Sequence, residues 1–81
     1  MTRLRRRQPK RLARKLLAIR QRLDLSQTEM ASRLDLKVAY TAISAYERGT
    51  REPDLITLLR YARIAGVSVD VLIDDKLDLP R

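Results

Sequence analysis

Tyr40, Thr41, Ser44 and Ala45 are spaced so that a helix through them presents all four on one side. Ile43 and Tyr46, three residues apart, then share the opposite face, with Glu47 next to them. None of the four outward side chains is charged, and three of them are small. A serine or threonine hydroxyl can bond either kind of base edge, and an alanine methyl can meet a thymine methyl. Tyr40 can bond a phosphate or pack on a sugar. The chemistry open to these residues is therefore recognition by hydrogen bonds and methyl contact, on a helix narrow enough for a DNA major groove. Covalent chemistry finds little support. The sequence has no cysteine, no histidine, no glycine-rich phosphate loop and no paired carboxylates beyond Asp74-Asp75. No catalytic residue, no metal site and no cofactor is expected, and the chain is not read as an enzyme.

The elements that would hold this face are all helical. Ser26 is a good N-cap and Glu29 stands three residues on, a capping box that predicts a helix from Gln27. Met30, Ala31 and Leu34 fall on one face of it. The helix carrying Ile43 and Tyr46 ends at Arg48-Gly49, with a cation by the last turn and a glycine suited to the left-handed position after it. Ahead of both, Pro9 suits a first helical turn. Leu12, Leu16, Ile19 and Leu23 then repeat as the stripe of an amphipathic helix ending near Leu23, with Arg11, Arg14, Lys15 and Arg22 facing away. Arg20 falls among the inward residues. After the Arg48–Pro53 loop, Asp54 can cap a fourth helix with Leu55, Leu58, Leu59, Ala62 and Ala65 inward, stopped by Gly66. Ser68 can cap a short fifth helix with Val69, Leu72 and Ile73 inward. Ile56, Tyr61, Ile64 and Val71 look surplus to such a core, which makes the C-terminal half a candidate dimer face. The expected fold is all-α, with five helices.

Four blocks in order carry a resemblance: L-S-Q-T-E-M-A (Leu25 to Ala31), I-S-A-Y-E-R-G (Ile43 to Gly49), P-D-L-I-T-L-L (Pro53 to Leu59) and G-V-S-V-D-V-L (Gly66 to Leu72). Together they resemble the phage repressor/Cro-like (XRE) helix-turn-helix family over roughly Leu16 to Asp74. The resemblance implies a compact repressor-like domain in which helices 2 and 3 form the helix-turn-helix. Counting back from Ile43 makes Tyr40, Thr41, Ser44 and Ala45 the base-reading residues of the recognition helix. It implies a phosphate contact for Gln27 at the helix 2 N-terminus, the alternative being an ordinary polar residue there. Further phosphate candidates are Thr28, Arg33, Lys37, Arg48, Thr50 and Arg51; for Arg51 the alternative is a surface pair with Glu52 or Asp54. It also implies a structural ion pair between Arg20 and Glu47, the alternative being that Arg20 reaches out to solvent. Two departures stand out. Family members usually have glycine after the last leucine of helix 2, where this chain has Asp35. Leu34 and Ile43 are nine residues apart against the usual seven, so the turn holding Leu36 and Lys37 is expected to be about two residues longer. Leu36 is expected to plug the core between the helices.

The net charge of +8 is confined to one end. Residues 1–15 hold Arg3, Arg5, Arg6, Arg7, Lys10, Arg11, Arg14 and Lys15 and no acid, whereas the remaining ten cations and ten acids cancel. Such asymmetry points to a polyanion. Residues 1–8 read as a flexible basic arm, in which Arg3, Arg5, Arg6 and Arg7 either follow DNA phosphates or enter a minor groove, or else form a solvated tail. Residues 9–74 read as the helix-turn-helix domain and 75–81 as a short acidic tail. In that tail Leu77 and Leu79 dock either on the domain or on a second subunit.

At 81 residues the chain reads as one domain, small enough to gain from a second subunit. No apolar run is long enough to span a membrane, and the basic N-terminus has no apolar segment after it to make an export signal. A cytoplasmic location is expected. The expected function is a sequence-specific regulator of transcription, a repressor first. It would bind double-stranded DNA as a homodimer that sets two recognition helices about 34 Å apart. The alternative is a protein-binding module on the same fold, such as an antitoxin, with a protein partner. The Asp74–Arg81 tail is short for wrapping an enzyme, which ranks this second.

Overall fold

Leu12, Leu16 and Ile19 are buried together on one side of α1 (Leu12–Arg22), as their spacing predicts. The computed structural model describes residues 8–35 and 40–80. The other elements are α2 (Gln27–Arg33), α3 (Thr41–Arg48), α4 (Leu55–Ala65) and α5 (Val69–Ile73), and no strand occurs among the described residues. Helix α1 packs against α3, α4 and α5, while α2 lies against α3. Each helix supplies part of one core. Met30 and Ala31 of α2, with Leu34 just after it, meet Ala42, Ile43 and Tyr46 of α3 and Leu58, Tyr61 and Ala62 of α4, and Leu72 of α5 closes the cluster. Leu36, expected to plug this core, lies outside the described residues.

Local signals set the helix ends. The capping box is complete: the Glu29 N–H donates to Ser26 Oγ at 3.0 Å, and the Ser26 N–H donates to Glu29 Oε1 at 2.8 Å. Asp54 accepts the Thr57 N–H at 2.8 Å. Gly49 and Gly66 follow their helices at φ 75° and 72°, where a Cβ would be strained. Ser68 precedes α5, but its side chain makes no capping bond.

Asp35 also adopts the left-handed conformation, at φ 54°. The position where the family usually has glycine thus keeps the backbone shape that glycine favours. Asp35→Gly is expected to stabilise the fold by about 1 kcal/mol, a rise of roughly 4–8 °C in melting temperature. A drop in melting temperature would show that the aspartate side chain is needed there.

Packing corrects four expectations. Tyr61 is not surplus but fully buried at the core centre, while Leu55 of the expected stripe is 72% exposed. Ile73 also points outward. Lys15 does not face away from the core: it is buried, and its ammonium donates to the carbonyls of Val71 at 2.7 Å and Asp74 at 3.0 Å. It neutralises carbonyls that the end of α5 leaves without helical partners. Burial, then the neighbouring Arg11, pulls the Lys15 ammonium below its ordinary pKa, against the pull of Asp75 and Asp74.

Burial pushes the Tyr61 phenol up, and its hydroxyl has no hydrogen-bond partner among the described residues. Tyr61→Phe keeps the ring and removes that oxygen. Equilibrium denaturation is expected to find the variant as stable as the parent or about 1 kcal/mol more stable. A loss above about 1 kcal/mol would mean the hydroxyl is bonded in solution.

The tail folds back. Leu79 packs against the core, flanked by Ile19, Leu23, Ile64, Ala65 and Val67, whereas Leu77 is exposed. Arg22 donates to the Pro80 carbonyl, and Arg11 pairs with Asp78. Part of the cationic excess of the chain's start is thus matched within the molecule. The Asp75 carboxylate accepts the N–H groups of Lys10 and Arg11, which hold it below the usual carboxylate range. The Thr57 and Ser26 N–H groups do the same for Asp54 and Glu29. A pKa lowered by folding contributes stability that is present above the ordinary value and lost as pH falls through the lowered one. The melting temperature is therefore expected to fall once pH drops below about 4, a trend that calorimetry across the acid range would check.

Candidate nucleic-acid interface

Glu47 ties together the three helices around the candidate surface. Arg20 of α1 meets it in a fork, Nε donating to Oε2 at 2.6 Å and Nη2 to Oε1 at 3.0 Å, while Nη1 donates to the Leu25 carbonyl at 2.9 Å. The pair expected from the resemblance is formed, and Arg20 does not reach out to solvent. The Glu47 side chain is only 5% exposed, so the fork and its added bonds offset its desolvation. Gln27 at the start of α2 joins them, its Nε2 donating to Glu47 Oε1 at 3.2 Å. This fixes the carboxamide at the N-terminus of α2. The sequence had suggested a phosphate contact for Gln27 but not this anchor, because the bond depends on helices that meet only in the fold.

Helix α3 turns Ala42, Ile43 and Tyr46 inward. The remaining side carries Tyr40 just ahead of the helix, then Thr41, Ser44 and Ala45. Tyr40 and Thr41 are exposed, and Ser44 and Ala45 half-buried, so all four share the outer face. The helix opens without a side-chain cap. It closes through Thr50, whose N–H and hydroxyl both donate to the Ala45 carbonyl, at 3.0 and 3.3 Å. Thr50 thus shapes the end of α3, a role its sequence position did not reveal.

Cations flank this face. Thr28 and Arg33 are exposed on α2, and Arg48 and Arg51 are exposed at the far end of α3. Arg48 bends back, Nε donating to the Ser44 carbonyl at 3.3 Å. The Arg51 guanidinium lies 5.8 Å from the centre of the Tyr46 ring, an arrangement that holds a cation beside the loop. Arg60 of α4 reaches the end of α2, Nη1 donating to the Leu34 carbonyl at 3.0 Å. No sequence signal marked that contact. Lys37 and the arm residues Arg3, Arg5, Arg6 and Arg7 lie outside the described residues.

This geometry matches a known family. The helix-turn-helix family model covers residues 16–72, which contain all five helices except the first turn of α1 and the last residue of α5. The chain belongs to that helix-turn-helix family, of the phage repressor/Cro-like (XRE) type. It is similar to the uncharacterized HTH-type transcriptional regulator YqaE of Bacillus subtilis (strain 168), with 44% identity over 55 residues. The match takes in 67% of this chain and 45% of YqaE, so the chain spans about half the length of that relative. Among solved structures it is similar to the P22 c2 repressor protein in complex with synthetic operator 9T. The TM-score is 0.70 at 25% identity, over 79% of this chain and 94% of that one. The SinR protein/SinI protein complex gives the same TM-score, 0.70, at 24% identity, over 80% of this chain and 62% of that one, and attests the fold. No described helix is long and apolar enough to cross a membrane.

Proposed function

We propose that the chain is a sequence-specific DNA-binding regulator of transcription, acting as a repressor by occupying its site. The observation that carries this reading is the outer face of α3. Its residues Tyr40, Thr41, Ser44 and Ala45 carry no charge and three of them bear hydroxyls; the helix is tied to α1 and α2 through Glu47, and exposed Arg48 at its last turn joins exposed Arg33 and Arg51 nearby. Family membership, and likeness to a repressor solved on its operator, support it. Tyr40, Thr41, Ser44 and Ala45 would meet base edges, while Gln27, Thr28, Arg33, Lys37, Arg48 and Arg51 would meet phosphates, and Thr50 would do so by turning its hydroxyl away from the Ala45 carbonyl. The phosphate contacts supply affinity and register, and the groove helix supplies preference. A homodimer would present two such helices one turn of DNA apart. None of the four base-reading residues is Arg, Asn or Gln, so DNA shape and the arm are assigned part of the specificity.

Fluorescence anisotropy of a labelled duplex, titrated across a salt series, tests the reading. Expected are tight binding and a log–log salt slope steeper than about −4, as for several phosphate contacts. Absence of binding at low salt would refute it.

A further inference from the structure

Helix α2 has only seven residues, too few to hold a helix without partners. Its inner side packs through Met30, Ala31 and Leu34. Its start is tied to α3 by the bond from Gln27 to Glu47. Its end is tied to a different helix. Arg60 of α4 is half-buried, and its Nη1 donates to the Leu34 carbonyl at 3.0 Å and to the Asp35 carbonyl at 3.4 Å.

Leu34 and Asp35 are the two residues that follow Arg33, the last residue of α2. Leu34 is fully buried, and Asp35 is left-handed at φ 54°, a shape unfavourable for a residue with a Cβ. A donor shared by both carbonyls helps to hold that shape where glycine is absent. The cation also suits the negative end of a helix. The backbone just past Arg33 is thus fixed twice, by the buried leucine and by Arg60. The Arg33 side chain itself is exposed. The two arginines therefore differ in what they can do. Arg33 is open to a phosphate, whereas the Arg60 guanidinium is engaged with carbonyls of its own chain.

We infer that Arg60 is a positioning residue for DNA binding: by tying the end of α2 to α4 it holds Arg33 in register with the outer face of α3, and it acts through Arg33 without touching DNA. The inference rests on the DNA-binding reading above. A cation on a helix end that frays must be ordered when DNA arrives, and that ordering weakens binding. A cation on a fixed end meets its phosphate already placed, while the base-reading helix keeps its own position.

A double-mutant cycle on the full chain tests this. Arg60→Met, which keeps the apolar stem and removes the donor, is made with Arg33 present and with Arg33→Ala. Each protein is titrated across a salt series against the duplex that the unaltered chain enriches from a random pool. The titrations are run well below the lowest melting temperature of the set. With Arg33 present, Arg60→Met is expected to weaken binding about three- to tenfold and to make the salt slope shallower by about one. With Arg33→Ala, the same change is expected to cost less than about twofold and to leave the slope alone. Losing the Arg60 charge weakens binding equally in both backgrounds, so the cycle cancels that effect. Equal losses in both backgrounds would mean that Arg60 meets DNA itself or only stabilises the fold. Unchanged or tighter binding would mean that the tie does not matter to DNA. Either result overturns the inference. If Arg60→Met fails to fold, Arg60→Gln, whose amide stops short of the place of Nη1, carries the same comparison. No binding by the unaltered chain to any duplex of the pool would instead refute the DNA-binding reading itself.

Discussion

Glu47→Ala is expected to lower the melting temperature by about 10–20 °C. The side chain it removes is nearly buried and accepts from Arg20 twice and from Gln27 once. Without it, Arg20 keeps only the Leu25 carbonyl, and a guanidinium that is itself mostly buried loses its counter-ion. Breaking a buried pair by deleting one partner costs about 3–5 kcal/mol, and the partial exposure of Arg20 brings the expected cost here to roughly 2–3 kcal/mol. For a domain of this size, each kcal/mol moves the melting temperature by about 4–8 °C. The double variant Arg20→Met with Glu47→Leu leaves no stranded charge and is expected to recover most of the loss. Thermal unfolding by circular dichroism reads both. A shift under about 3 °C for Glu47→Ala would show that the pair contributes no more than a surface ion pair.

Replacing Arg3, Arg5, Arg6 and Arg7 with alanine is expected to have the largest effect on binding. If all four reach phosphates, the log–log salt slope becomes shallower by about 3–4. At low salt the affinity would fall by two orders of magnitude or more, and at high salt the parent and variant would converge. Melting temperature should stay within a few degrees, because these residues precede the described helices. An unchanged slope would make the arm a solvated tail and place the phosphate contacts on Arg33, Arg48 and Arg51 alone.

The sequence was most legible where the physics is local. Ser26 with Glu29, Asp54, Gly49 and Gly66 each act within four residues, and each ends its helix as read. The stripe Leu12, Leu16 and Ile19 follows from periodicity alone. What stayed hidden depends on elements that meet only in the fold. Lys15 sits at the polar edge of the α1 stripe, and only the end of α5 supplies the carbonyls that make its burial favourable. Tyr61 looks surplus on the period of α4 alone, whereas it is fully buried in a core to which all five helices contribute. Leu55 fits the α4 period but is the first residue of the helix, where the packing leaves it largely exposed. The tail is short and polar, and its docking rests on Arg11, Lys15 and Arg22, which read as solvent-facing. The outer face of α3 was legible for a different reason: Ile43 and Tyr46 had to point inward, which left Tyr40, Thr41, Ser44 and Ala45 outside.

Base reading by α3 is tested by selecting binding sites from a random duplex pool. Enrichment of a palindrome whose half-sites lie about one helical turn apart is expected, with a changed half-site when Thr41 and Ser44 are both replaced by alanine. Failure to enrich any motif, or an identical motif from the Thr41/Ser44 variant, would contradict base reading by α3.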